Sequence, residues 1–62
     1  MIFYEVFENR YYHNEEQIYS ELMIPPKYVH ISISTNSPII IHNRKYQFIT
    51  KQNPFKENYK EA

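Results

Sequence analysis

Glycine is missing from this sequence altogether. That excludes every glycine-rich phosphate loop and nucleophile elbow, which depend on backbone freedom that only glycine supplies. Cysteine is missing too, so no disulfide, thiolate metal site or cysteine nucleophile can form. Aspartate does not occur, and all seven acids are glutamates. Long apolar runs are lacking: the longest, Ile39-Ile40-Ile41, is far short of the roughly 18 residues a membrane span needs. Met1-Ile2-Phe3-Tyr4-Glu5 has neither a basic region nor a long apolar core, so no signal peptide is expected and a cytoplasmic location is. Charge of one sign is also lacking. Seven Lys and Arg balance seven Glu, with a pI near 6.8. Nucleic-acid binders usually carry a basic excess, so a DNA partner would require the charge to be segregated onto one face.

What is present is aromatic surface. Seven Tyr and four Phe occur in 62 residues, and each can bury roughly 150–250 Å². A single domain spanning 1–62 is expected, with 52–62 as a frayed tail. A domain of this size buries only about 60% of its unfolded surface, so aromatic packing, a homodimer or a partner must add stability. The abundance of Ile, Asn, Lys and Tyr points to an AT-rich genome, such as that of a low-GC bacterium or its phage.

Residues 2–8 suit a strand with apolar groups on both faces. Residues 14–23 suit a helix. Asn14 is an N-cap with Gln17 three positions on, Glu15 and Glu16 favour the dipole, and Ile18, Tyr19, Leu22 and Met23 form an apolar face. Pro25 and Pro26 are expected to stop that helix. Residues 28–34 alternate, with Val29, Ile31 and Ile33 opposed to His30, Ser32 and Ser34, which predicts a half-buried strand. Thr35 to Pro38 is turn chemistry. Residues 39–42 and 46–50 are strand-like, with Asn43, Arg44 and Lys45 as a polar loop or an exposed part of a strand. Asn53, Pro54, Phe55 and Tyr59 suit a short C-terminal helix, frayed after Asn58. The expected fold is therefore α+β, a small antiparallel sheet on one main helix in β-α-β-β order. Ile18, Leu22, Val29, Ile31, Ile33, Ile41 and Phe48 are its expected core.

No catalytic residues, cofactor site or metal site are expected. His13, His30 and His42 lack zinc-ligand spacing. The glutamates and serines sit in no nucleophile or acid–base motif, and the chain has little room for a pocket of about 300 Å³. Two clusters suit contact with a partner. Arg10-Tyr11-Tyr12 interleaves a cation with aromatics, as interface anchors and base-stacking groups do, although one of the two tyrosines is expected to close the core beside the helix. Arg44 and Lys45, with His42, Asn43 and Lys51 near, form the densest basic patch, which suits either a phosphate contact or protection of a sheet edge.

Residues 15–33 can also be aligned as a helix-turn-helix. Ile18-Tyr19-Ser20-Glu21-Leu22 would end a first helix, Met23-Ile24-Pro25 would turn, Pro26 to Ser32 would form a second helix, and Tyr46-Gln47-Phe48-Ile49 a wing strand. With Tyr4-Glu5-Val6-Phe7 as a leading strand, the chain resembles small phage-encoded winged helix-turn-helix proteins. The resemblance implies a DNA-binding regulator or excisionase, with Lys27, Tyr28 and His30 in the major groove and Arg44 and Lys45 on the wing. Tyr19 stands where that motif has a small residue, Met23 where glycine is common, and Ser32 where an apolar anchor is usual.

The residue patterns and composition favour a different function: a non-enzymatic phage or mobile-element protein that inhibits a host macromolecule, in the manner of an anti-CRISPR. It would act by steric protein–protein binding through Arg10, Tyr11, Tyr12, Arg44 and Lys45, with homodimer formation as a further expectation. DNA binding is the alternative.

Overall fold

The computed structural model describes residues 1–52. These form β1 (Ile2–Glu5), β2 (Arg10–Tyr12), α1 (Glu15–Leu22), α2 (Pro26–Thr35), β3 (Ile39–Ile41), β4 (Arg44–Tyr46) and β5 (Phe48–Lys51). The fold is small α+β, with two helices and two small antiparallel sheets among the described residues. One sheet has the order β2-β1-β5 and the other pairs β3 with β4. The expected C-terminal helix and frayed tail lie outside the described residues.

The helix expected over 14–23 is α1. The Asn14 side chain accepts from the Gln17 amide at 2.8 Å, and the Gln17 side chain accepts from the His13 amide at 2.7 Å. The first bond satisfies a first-turn donor, and the second ties the residue just before the cap to the helix. Met23 ends the helix in the left-handed conformation (φ 59°), its N–H donating to the Tyr19 carbonyl at 2.8 Å.

The strand expected over residues 28–34 is overturned: this stretch is helical. α1 ends before Pro25 and Pro26, as expected, but the same prolines open a second helix: Pro25 is the N-cap of α2 and Pro26 its first residue. Proline suits that position, since its fixed φ is helical and the N–H it lacks has no partner there. The one-helix β-α-β-β order goes with it. Val29, Ser32 and Ile33, spaced i, i+3 and i+4, face the interior. Ile31, expected in the core, is instead 47% exposed, because on a helix it points away from Val29 and Ile33. The strand expected over 2–8 is also shorter. β1 ends at Glu5, residues 6–9 turn, and β2 returns from Arg10 with Phe3 opposite Tyr12.

The core is Tyr12, Ile18, Ile24, Val29, Tyr46 and Phe48, with Leu22, Ile33 and Ile41 packed at its margin. Two buried polar side chains bind its elements together. The Ser32 hydroxyl donates to the Ser37 carbonyl and accepts from the Phe48 amide, both at 2.9 Å, fastening α2 to β5. The buried Glu5 carboxylate accepts from the Glu8 amide at 2.5 Å and the Gln47 amide at 2.8 Å. It ties the turn after β1 to the bend between β4 and β5.

Without glycine, left-handed backbone falls to Asn9, Met23, Asn36, His42 and Asn43. His42 and Asn43 are consecutive (φ 53° and 63°) and join β3 to β4. A two-residue turn with both φ values positive matches strand twist in a hairpin, and Asn tolerates it well.

Two stability changes are expected. Ser32→Ala orphans the buried Phe48 amide and should cost about 1–3 kcal/mol in urea unfolding; an unchanged midpoint would refute the fastening role. Met23→Gly should gain about 0.5–1 kcal/mol by removing the Cβ penalty of a left-handed residue, visible as a higher Tm. A lower Tm would mean that the Met23 side chain contributes more than its conformation costs.

Candidate functional site

The two clusters singled out from sequence fare differently. On β2, Tyr12 is fully buried and is the tyrosine that closes the core beside α1. Its hydroxyl has no hydrogen-bond partner among the described residues. Arg10 is exposed, pairs with Glu21 and lays its guanidinium over the Tyr12 ring at 5.2 Å. Tyr11 is half-buried, its ring 4.7 Å from that of Tyr4, with the Lys51 ammonium over both rings. Arg44 and Lys45 belong to the other sheet, so the five expected partner residues do not share one sheet.

The second set divides between α2 and β4. Lys27 and His30 are exposed on α2, whereas Tyr28 is half-buried and packs against the core. Arg44 and Lys45 are exposed on β4, just after the turn of the β3–β4 hairpin. That turn reaches the helices: His42 Nε2 lies 3.2 Å from the Met23 carbonyl, in the connection between α1 and α2. The hairpin turn therefore meets the C-terminal end of α1, three residues before α2 begins.

Residues that the sequence reading missed complete the α2 surface. Ile31, Ser34 and Thr35 are exposed, and with Lys27 and His30 they stand at i, i+3, i+4, i+7 and i+8, one stripe of a helix. The strand reading hid it, because period two sends Ile31 and His30 to opposite faces.

Charge is distributed unevenly around this surface. Between Glu21 and Glu57 the sequence holds no carboxylate. The connection after α1, all of α2 and both hairpin strands fall within that stretch. Two carboxylates from earlier in the chain reach across: Glu15 binds the His30 imidazole, and Glu8 binds Arg44 at 3.0 Å. Lys27 and Lys45 have no carboxylate partner among the described residues. They lie instead 5.3 Å from the Tyr28 ring and 5.4 Å from the Phe7 ring, contacts that steady a cation without neutralising it.

No protein family, curated protein or solved structure matches the chain. Among the described residues no cluster of three or more His or Glu is placed to hold a metal, and no helix is long and apolar enough to cross a membrane.

Burial raises the Tyr12 phenol above its ordinary 10.0, and the nearby Arg10 charge opposes the shift only in part. The unfolded chain would release this proton near pH 10 while the folded chain keeps it. Stability from this group is thus fully present below pH 10 and falls as pH rises through the higher folded value. Tyr12→Phe removes a buried hydroxyl that has no hydrogen-bond partner among the described residues. We expect a gain of about 1 kcal/mol near neutral pH and a shallower alkaline loss than in the parent chain, measured by urea unfolding on both sides of pH 10. Equal alkaline slopes in the two proteins would contradict this assignment.

Proposed function

We propose that this chain is a small, non-enzymatic DNA-binding module of winged helix-turn-helix type, a regulator or excisionase in kind. α2 would enter the major groove and the β3–β4 hairpin would serve as the wing. One observation carries the reading: the carboxylate-free stretch of the chain forms both α2 and the hairpin, and its Lys27 and Lys45 are not neutralised by any carboxylate among the described residues. A net charge of zero is then no obstacle, because the phosphates meet the local charge. Lys27, Lys45 and Arg44 would contact phosphates and fix the register, and the α2 stripe would meet base edges.

Glu8 and Glu15 would compete with DNA for Arg44 and His30. Both pairs are at least partly exposed, and such pairs contribute little stability, so phosphate oxygens can replace the carboxylates at small cost.

A second reading, steric inhibition of a host protein, is favoured by a different feature. Phe7 and Ile40 are 51% and 64% exposed, with Lys45 between them: it lies over the Phe7 ring and pairs with Ile40 across the hairpin. An apolar patch around a cation suits a protein interface.

The test is fluorescence anisotropy of a labelled AT-rich duplex titrated with the full chain at several salt concentrations. Binding should weaken steeply with salt, and Lys27→Ala combined with Lys45→Ala should reduce the slope of log K against log salt by about 2. Glu8→Gln, by releasing Arg44, should tighten binding. Folded protein that leaves the duplex free even at low salt would end the DNA reading. Capture of a defined host protein, lost in Phe7→Ala, would then put the inhibitor in its place.

A further inference from the structure

The stripe on α2 is polar except at its centre. Ile31 is 47% exposed and lies outside the core cluster, flanked by Lys27, His30, Ser34 and Thr35. Single exposed aliphatics are common on protein surfaces. What distinguishes Ile31 is its place in the middle of the face that the DNA reading puts against base edges. Its polar neighbours are already engaged. Glu15 holds His30, Thr35 Oγ1 donates to the Ile31 carbonyl at 2.7 Å, and Ser34 Oγ lies 3.4 Å from the same oxygen. Lys27 rests beside the Tyr28 ring.

An isoleucine cannot hydrogen-bond to a base. In the major groove the apolar feature of a base edge is the C5 methyl of thymine, and aliphatic contact with it is a recognised mode of reading that base. A β-branched side chain in a helix also has one strongly preferred rotamer, so Ile31 presents a fixed surface with little side-chain freedom left to lose on contact. We infer that Ile31 packs on a thymine methyl, so that the bound duplex carries a T·A pair facing the centre of α2. The inference rests on the DNA reading above and adds the base it selects.

The experiment begins with selection of bound duplexes from a random-core pool by the full chain. In a selected duplex each thymine is then replaced singly by uracil, which deletes only the C5 methyl. For the parent chain, one position should weaken binding about fourfold, the value of one buried methyl, and the others should change it little. With Ile31→Ala, thymine and uracil at that position should bind alike, while Ile31→Val should keep most of the difference. Thermal unfolding of both variants confirms that they fold.

Selected duplexes with no T·A pair in common overturn the inference. So does a uracil scan without effect, or a uracil effect of the same size in Ile31→Ala, which would assign the methyl to another residue. In those cases the DNA reading stands. A pool from which nothing is retained removes both.

Discussion

The Ser32 hydroxyl sets how α2 faces the rest of the molecule. It bonds the Ser37 carbonyl after the helix and the Phe48 amide on β5, and it is fully buried while doing so. Aliphatic packing alone would tolerate some rotation of a ten-residue helix, because methyl groups slide over one another with little directional preference. A hydroxyl serving two backbone partners does not. Shifting the helix by one residue turns the face by about 100°, breaks both bonds and buries an orphaned amide. The direction of Lys27, His30 and Ile31 is therefore fixed from the opposite side of the helix. Glu5 does the same for the hairpin, since its carboxylate holds the Gln47 amide where β4 gives way to β5.

A chain without glycine must place its tight turns on residues that carry a Cβ. Three of the five left-handed positions are asparagine and one is histidine, the non-glycine types most tolerant of that region. Met23 is the exception, and it occupies the connection between the two helices. The turn is therefore built at a conformational cost, which Ile24, fully buried in the very next position, helps to offset. The buried Ile24 keeps α1 and α2 together where the sequence offers no glycine to ease the bend.

Much of the fold could be read from the residues, and the part that could not has a definite physical origin. α1 was legible because its signals agree: Asn14, the two first-turn glutamates and the face of Ile18 and Leu22 all call for a helix. α2 was not, because its signals conflict. Val29, Ile31 and Ile33 are β-branched and alternate, which favours a strand. The helical face has a serine at its centre, so its 3.6-residue period was masked by the very residue that anchors it. The two prolines were ambiguous, since the feature that closes one helix also opens the next. The site suffered from the same conflict. Arg44 and Lys45 stood out as a basic cluster, but Ile31, Ser34 and Thr35 become neighbours of Lys27 only once residues 26–35 wind into a helix. Tyr12 was recognisable as one of two candidates for the core, and only the register opposite Phe3 decides between it and Tyr11.

Zero net charge hides a division within the chain. The described glutamates all precede residue 22, and four of the five described cations follow it. The ion pairs partly reunite the two groups: Glu8 reaches Arg44 and Glu15 reaches His30. Arginine and histidine are thereby held by carboxylates while Lys27 and Lys45 rest on aromatic rings. The arrangement has a consequence for binding. Exposed carboxylate pairs are weak in water, so on the proposed reading a phosphate backbone would gain the Arg44 cation by displacing Glu8 and a polar contact with His30 by displacing Glu15. The same displacement moves no cation toward an uncharged or acid-poor protein surface. On the proposed reading, charge stored in this way would favour a polyanion over a neutral partner, even though the chain as a whole carries no excess.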